Sequence, residues 1–404
     1  MAAYLLGVVL FFLGIAVTIA LHEWGHYITA RAFGMKVRRF FIGFGPTVLA
    51  KQRGETVYGL KAIPVGGFCD IAGMTAQDDI DPADLSRAMY KKPWWQRIVV
   101  LSGGVIMNVI VGFLVLYAVA VSSGIPNPDV DTTATVDTVQ CVPETQLSET
   151  ELSSCTGLGP VADAGIEHGD KILAVNGEEM ANFTEVRDTI LTLPGETATL
   201  TIERDEMLFD APIQVAAVTR LAADGTEITV GAVGMSSLPP TDIYKKYGPV
   251  EGVGATARFT GDMIEATWEG LKSFPAKIPG VVASIFGAER DVESPMSVVG
   301  ASQIGGEFVE RSMWDMFFMM LASLNFFLAL FNLVPLPPLD GGHIAVVLYE
   351  KVRDLFRKMR GKPAGGPADY TKLMPLTVAV AAVLMTIGGL VIIADVVNPI
   401  RLFG

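Results

Sequence analysis

Four stretches of this chain lack charged residues for long enough to cross a lipid bilayer. They cover residues 4–21, 98–123, 316–339 and 373–394. Each is about as long as the roughly 20 apolar residues that a spanning helix needs. Between the second and third stretches, short runs of alternating apolar and polar residues are bounded by Gly and Pro, which is typical of strands and turns. The pattern predicts a polytopic α-helical membrane protein with four transmembrane helices and a soluble α+β domain.

A shorter alternating segment follows the first span, which we expect to end near Gly34. Residues 37–71 contain Gly-Phe-Gly-Pro and Ile-Pro-Val-Gly-Gly-Phe runs, and they predict short strands and a hairpin. Two interpretations remain open for this hairpin. It is either an ordinary cytoplasmic hairpin or a small sheet that dips into the membrane and offers a strand edge to an unwound substrate. Residues 76–92 are polar and predict a mobile helix or loop.

The soluble region reads as a mixed domain with its own core. Asn176-Gly177 marks a hairpin turn. The clearest elements in this region are a helix at 183–191 and strands at 197–203 and 228–233. Beyond residue 240 the pattern becomes amphipathic and Gly-interrupted, which favours one or two helices lying on the outer membrane surface. A basic helix over residues 346–360 is expected along the inner surface.

The 404 residues are half hydrophobic, and their charges are unevenly distributed. Residues 33–97 hold ten Lys plus Arg against six acids, and 350–372 hold seven against three, whereas 122–315 hold 31 acids and 11 basic residues. By the positive-inside rule the two basic loops are cytoplasmic, while the acidic segment and both termini are extracytoplasmic. The net charge of −13 therefore belongs to the external region and argues against a nucleic-acid partner.

Candidate chemistry lies at the inner end of the first stretch, where His22-Glu23-Trp24-Gly25-His26 forms an HExxH motif. On a helix, two imidazoles four residues apart project from one face and can bind a single metal ion. Glu23 lies beside them as the candidate general base of a zinc metalloprotease. At about 1.5 Å per residue, His22 is roughly 27 Å from the start of the stretch, toward the cytoplasmic side of the bilayer.

A structural interpretation, in which the two imidazoles cap or pack a helix end, is disfavoured because such groups are costly near lipid unless paired or functional. Catalytic zinc takes three protein ligands and keeps a position open for water. Asp340, in Leu339-Asp340-Gly341-Gly342, follows the third stretch at a depth similar to His22. It is the candidate third ligand. The alternative is that Asp340 caps a helix that starts at Gly341. His343 is expected in a supporting position.

The three cysteines divide by the same topology. Cys69 lies on the cytoplasmic side, whereas Cys141 and Cys155 share the external segment at a spacing that can close a small loop. An oxidising compartment permits a disulfide between them. Two free thiols remain the alternative.

The HEWGH motif and the Leu339–Gly342 run together resemble the site-2 protease family of intramembrane zinc metalloproteases. The chain looks like the bacterial four-helix branch with an external PDZ domain, and the likeness in segment order covers nearly its whole length. The resemblance implies one catalytic Zn²⁺ held by His22, His26 and Asp340, with Glu23 as the base.

Further positions match the family's motifs, and the resemblance implies that they position the substrate or the site. They are Asn332 and Pro335 before the Asp, Gly45 and Gly66-Gly67-Phe68 in the membrane-embedded strands, and Asn108 in the second helix. The family's Gly-Pro-x-x-Asn has Val105 in place of Pro here. An upstream Asn has its nearest counterpart in Asn325, whose role stays open. A size filter for pre-trimmed substrates is at least as plausible for the PDZ-like region as recognition of a substrate C-terminus.

The resemblance divides the chain into four parts. These are 1–124 with the first two transmembrane helices and the β loop, 125–240 as the PDZ-like domain, 241–312 as membrane-surface helices, and 313–404 with the last two transmembrane helices.

The resulting hypothesis is an intramembrane zinc endopeptidase of the inner (cytoplasmic) membrane that acts in regulated intramembrane proteolysis. Its implied substrates are single-pass proteins, such as anti-sigma factors, that an upstream site-1-type protease has already shortened. Cleavage would release a cytoplasmic fragment that changes transcription. The alternative is a non-catalytic membrane scaffold or chaperone with a PDZ-like binding domain. A metal transporter is a weaker alternative, because the second and fourth stretches carry no ionisable residue.

Overall fold

The computed structural model describes residues 1–148, 151–222 and 226–403, with the side chains of Pro64 and Val65 left out. Residues 1–125 and 246–404 form one compact unit, and 126–245 form a second. We call them the helical unit and the inserted unit.

The helical unit begins with a long helix, a sheet and two further helices. Its first elements are α1 (Ala2–Ala32), β1 (Val37–Arg53), β2 (Thr56–Ile71), 3-10 turns at Pro82–Arg87 and Met89–Lys91, α2 (Trp94–Leu101) and α3 (Gly103–Ser122). Helix α1 ends as predicted, because Gly34 at φ +66° turns the chain out of the helix. The predicted second helix is divided at Ser102 into α2 and α3.

The strands β1 and β2 are longer than predicted and fold back on each other. Phe41 pairs with Gly59 on one side and with Phe68 on the other, while the outer half of β1 pairs with the start of β2. The hairpin is therefore a small antiparallel sheet of four strand segments. The segment around Phe68 is paired on one side by β1, and β2 lies against α1.

The inserted unit is built on an antiparallel sheet with the order β11-β4-β5-β7-β8, and β6 lies beside β5. A separate hairpin pairs β9 with β10. The elements from residue 125 onward are β3 (Ile125–Pro126), β4 (Ala134–Val139), α4 (Pro160–Asp163), β5 (Lys171–Val175), β6 (Glu178–Glu179), α5 (Phe183–Leu191), β7 (Thr197–Arg204), β8 (Met207–Gln214), β9 (Ala216–Leu221), β10 (Glu227–Ala232), β11 (Met235–Ser237) and β12 (Tyr244–Lys245). The helix predicted at 183–191 and the strands predicted near 197 and 228 are confirmed.

The core of the inserted unit follows from strand alternation. Leu200 and Ile202 of β7 are fully buried and pack with Val186 and Ile190 of α5. Asn176 at φ +52° and Gly177 form the predicted turn between β5 and β6. Cys141 and Cys155 are joined by a disulfide in this unit, with Cα atoms 5.8 Å apart. The free-thiol alternative does not describe this structure.

The chain then returns to the helical unit. Its last elements are α6 (Pro249–Ile285), α7 (Val298–Glu310), α8 (Trp314–Asn332), α9 (Asp340–Met359), a 3-10 turn at Tyr370–Leu373 and α10 (Met374–Val397). Among the described residues, four helical segments are long and apolar enough to cross a membrane: Ala2–Ala32, Gly103–Ser122, Trp314–Asn332 and Tyr370–Val397. The four predicted spans are thus confirmed by length and composition.

Helix α10 runs past the predicted fourth span and includes Asp395, so the expectation of a last helix without an ionisable residue is wrong. Asp395 is buried and accepts a 2.6 Å hydrogen bond from Arg290. Its second oxygen accepts from the backbone N–H groups of Ser297 and Gly300 at the start of α7. Asp395 therefore joins α10 to the start of α7 and to Arg290, and both of its carboxylate oxygens are engaged in these contacts.

Candidate metal centre and active site

The HExxH motif lies on an uninterrupted part of α1, so His22 and His26 project from one face one turn apart. Both imidazoles are buried, and their Nε2 atoms are 3.3 Å apart. Asp340 is the first residue of α9, and its Oδ2 lies 3.3 Å from each Nε2. The candidate ligand atoms of the three residues all lie within 4.8 Å of one another.

The position of Asp340 rules out the capping interpretation. Helix α9 starts at Asp340 itself, its N-cap is Leu339, and no side chain caps it. The carboxylate instead faces the two imidazoles. Gly341 allows this turn, because a Cβ at that position would collide with the backbone of Leu333.

The second nitrogen of each imidazole has its own neighbour. His26 Nδ1 lies 2.8 Å from the carbonyl oxygen of Val100 in α2, to which it donates its proton. His22 Nδ1 lies 3.2 Å from the amide of Asn108 in α3. The other amide atom, Asn108 Oδ1, is buried and has no hydrogen-bond partner in the described part of the chain. Turning that amide by 180° places Oδ1 where it accepts the Nδ1 proton of His22.

With both Nδ1 atoms protonated, three acceptors converge: the two Nε2 lone pairs and the Asp340 carboxylate. Asp340 Oδ2 is buried and has no hydrogen-bond partner among the residues that the structure describes. Three buried acceptors without a donor are unfavourable unless a cation lies between them. Two imidazoles and one carboxylate are a typical ligand set for catalytic zinc. The residues present therefore fit a zinc ion.

Small residues on α3 make room for this arrangement. A Cβ on Gly104 would lie 2.5 Å from His26 Nε2 and 2.6 Å from His22 Nε2. Gly25 of α1 and Gly103 pack backbone to backbone, and a Cβ on either would overlap the other residue. The Gly104-x-x-x-Asn108 spacing thus places a glycine behind both imidazoles and an amide beside one of them.

Glu23 lies between the two histidines in sequence and faces the sheet formed by β1 and β2. A Cβ on Gly67 would lie 3.0 Å from Glu23 Cγ, so the two residues are in contact. The carboxylate also lies next to the backbone of Cys69. The free edge of β2 therefore runs past the candidate base.

The other predicted sheet residues shape this edge. Gly66 has φ +97°, and a Cβ there would collide with the ring of Phe44. Gly45 has φ +83° and contributes a carbonyl oxygen that accepts from Lys61. Phe68 stacks on Phe41, with ring centroids 5.5 Å apart.

Asn332 and Pro335 do not join the three-residue cluster. Asn332 Nδ2 donates to the carbonyl oxygen of Leu328 and so supports the end of α8. Pro335 lines a cavity of about 880 Å³ whose wall also includes Gly342 and His343 of α9. His343 Nδ1 lies 3.4 Å from the hydroxyl of Tyr370, outside the cluster as expected.

Sequence reasoning missed two contacts that α1 makes with other helices. The Val100 carbonyl carries no sequence signal, because any residue supplies a backbone oxygen. The second is between Asn325 and Thr18, both buried, whose side chains are joined by a 3.2 Å hydrogen bond from α8 to α1. Thr18 and Asn325 are polar residues inside apolar spans, and such residues are a sequence signal for hydrogen bonds between membrane helices.

A spanning helix that carries HExxH, with its imidazoles facing an Asp from another segment, defines a membrane-bound zinc metalloprotease. The family model for peptidase family M50 matches residues 10–374. The chain belongs to this family, the site-2 proteases, and is a zinc metalloendopeptidase.

Named relatives agree with this assignment. The chain is 46% identical to zinc metalloprotease Rip1 of Mycolicibacterium smegmatis, over 98% of this chain and 99% of the relative. It is 41% identical to Rip1 of Mycobacterium tuberculosis, over 99% of each. It is 31% identical to the probable chloroplastic membrane metalloprotease ARASP2 of Arabidopsis thaliana, over 83% of this chain and 69% of the relative.

Proposed function

We propose that this protease cuts peptide bonds within the transmembrane segments of single-pass membrane proteins. One observation carries the proposal: His22, His26 and Asp340 converge within 4.8 Å at the end of an apolar helix long enough to span a bilayer. His22, His26 and Asp340 are the proposed ligands of one zinc ion, and Glu23 is the proposed base. A bound zinc ion would act as a Lewis acid toward water and the scissile carbonyl.

Glu23 is assigned the role of general base because it lies next to His22 on α1 and contacts Gly67 at the strand edge. Its carboxylate accepts a proton from the attacking water and donates it to the amine nitrogen of the departing segment. The backbone carbonyl of Val100 and the amide of Asn108 keep the proton of each imidazole on Nδ1, so that both Nε2 atoms remain available.

The free edge of β2 is the proposed substrate platform. A peptide bond inside a helix is shielded by its own hydrogen bonds, and an unwound segment in a membrane needs replacement partners. A strand edge supplies them by adding the segment to the sheet. Gly66, Gly67 and Phe68 lie on that edge, and Gly67 touches Glu23, so an added segment would pass the base. This requires the sheet to lie at membrane depth.

Gly45 and the end of α8 are assigned supporting roles. The positive φ of Gly45 allows the bend between the halves of β1. Asn332 holds the last turn of α8, and Pro335 borders the cavity next to α9. That cavity gives space to the unwound part of a substrate beyond the cut.

The proposed topology places the basic loops and the active site toward the cytoplasm of a bacterial inner membrane, with both termini outside. The strongly acidic segment between the second and third spans supports this orientation. We assign residues 125–240 as an extracytoplasmic PDZ-like domain and 241–312 as membrane-surface helices, between the membrane parts 1–124 and 313–404. The disulfide of Cys141 and Cys155 suits an oxidising compartment.

Anti-sigma factors already shortened by a site-1-type protease are the proposed substrates, and the product is a cytoplasmic fragment that changes transcription. The inserted unit then acts as a size filter for the shortened substrate or binds the new C-terminus that the first cut leaves on it. The substrate class and the role of the product are those that the resemblance to the family implies.

Co-expression of a tagged, pre-trimmed single-pass protein with the native chain or with Glu23→Gln tests the proposal. We expect cleavage by the native chain only, while both proteins keep the same zinc content by mass spectrometry. His22→Ala should lose zinc and activity together, and His343→Ala should keep the zinc. Equal cleavage with Glu23→Gln would refute the assigned base and favour a scaffold.

A further inference from the structure

Helix α9 carries an apolar stripe that nothing in the described parts of the chain covers. Its members recur at helical spacing, and these residues are 44–73% exposed: Leu348, Tyr349, Val352, Leu355, Phe356 and Met359. Such spacing places all six on one face of the helix. An exposed apolar face of this length on a helix between two spanning segments requires an apolar partner.

The opposite face of α9 is fixed to the protein, which determines where the stripe points. Val347 is fully buried in a cluster with Met89 and Leu101. Glu350 accepts a 2.5 Å hydrogen bond from Arg97 of α2, and both side chains are buried. The helix therefore cannot turn its stripe inward without breaking a buried ion pair.

Basic residues border the stripe on both sides. Lys351 and Lys358 lie along one border, and Arg353, Arg357 and Arg360 lie along the other, as follows from 100° per residue. Lysine and arginine in such positions keep their charges in the headgroup layer while their stems lie on apolar material.

The acids of this helix do not offset that charge at the surface. Glu350 accepts hydrogen bonds from Arg97 and from the backbone N–H of Ala368. Asp354 accepts hydrogen bonds from Arg353 and from the backbone N–H of Gly365. Lys351, Lys358 and Arg360 remain exposed to solvent. The unpaired charge that borders the apolar stripe is therefore positive.

We propose that α9 inserts its apolar stripe into the surface of an anionic phospholipid leaflet and that this docking holds Asp340 in place. An apolar face bordered by basic residues suits the interface of a membrane that contains anionic headgroups. The first residue of α9 is Asp340, so the orientation of the helix sets the position of its carboxylate. This second step rests on the proposed function, since it treats Asp340 as a zinc ligand.

The insertion is tested with the full chain in lipid nanodiscs. An environment-sensitive fluorophore is attached at Leu355→Cys in a Cys69→Ser background, and the matched control carries it at Lys358→Cys, off the stripe. We expect acyl-brominated lipids to quench the label at 355 several-fold more than the label at 358. Equal quenching, or a label at 355 that aqueous iodide reaches freely, would overturn the insertion. Quenching at 355 that appears only at high protein density would assign the stripe to a second copy and also overturn it.

The lipid class is tested with discs of phosphatidylcholine alone or with one third phosphatidylglycerol. We expect the anionic discs to give deeper quenching at 355 and a several-fold higher cleavage rate. The variant Lys351→Gln/Lys358→Gln/Arg360→Gln should behave alike in both discs, and high salt should remove the difference for the native chain. A native chain indifferent to phosphatidylglycerol would overturn the proposal. The label reports insertion without any cleavage, so failure of the proposed proteolysis is recognised separately.

Discussion

The amide of Asn108 offers the sharpest test of how the metal centre is built. Asn108→Ala removes the neighbour of His22 Nδ1, which now lies 3.2 Å away, and leaves that nitrogen buried without an acceptor. Loss of such a partner typically lowers metal affinity by about 10- to 100-fold. That range corresponds to roughly 1.4–2.8 kcal/mol of binding free energy.

The assay is competition for zinc between the purified protein and a chromogenic chelator, followed by metal content after dialysis. Asn325→Ala is the matched control, because Asn325 is equally buried in an apolar helix but bonds Thr18 and not a histidine. Asn108→Asp keeps an acceptor at the same place and should restore most of the affinity. Equal zinc affinity in Asn108→Ala and the native chain, or equal loss in Asn325→Ala, would refute the assigned role.

Three further changes test the site and its support. Gly104→Ala places a methyl group within 2.6 Å of both imidazoles, so bound zinc and protease activity should fall together while the helix content measured by circular dichroism stays unchanged. The control Gly388→Ala, whose added Cβ has no described neighbour within 4 Å, should change neither zinc content nor activity. Asp395→Ala leaves Arg290 buried without its partner and should lower stability by about 3–5 kcal/mol, seen as a lower Tm in detergent; an unchanged Tm would contradict the contact. Burial raises the pKa of Asp170, but the hydrogen bonds from Arg204 and from the N–H of Glu167 outweigh it and lower the pKa overall. Because the folded-state pKa lies below the unfolded one, Asp170 stabilises the inserted unit above the unfolded value, and this contribution is lost as the pH falls through the folded value. Asp170→Asn should therefore lower hydrogen-exchange protection in β5 and β7 at neutral pH, by about 1–3 kcal/mol, and flatten its acid dependence.

Local pattern was sufficient for much of the fold. The end of α1 just before Gly34, helix α5 and strand β7 each follow from a run of residues whose periodicity and stop signals agree. Where the pattern was misleading, packing decided. The second span is divided at Ser102 beside the close approach of Gly103 to Gly25, which hydropathy does not report. The hairpin of β1 and β2 forms four paired segments because Phe41 pairs on both sides, and no local sequence signal specifies pairing on both sides of one strand.

The sequence by itself determined the chemistry of this protein: HExxH on an apolar helix fixes two imidazoles and a carboxylate on neighbouring positions, because helix geometry alone sets their spacing. The sequence also indicated Asp340 as a ligand through its motif, but it could not show how close Asp340 lies to the imidazoles. Only the tertiary structure decided that Asp340 faces the imidazoles and does not cap α9, and that Val100 and Asn108 are their neighbours. These contacts join segments far apart in the chain, and their geometry depends on how glycine-lined helices pack, which no single segment encodes.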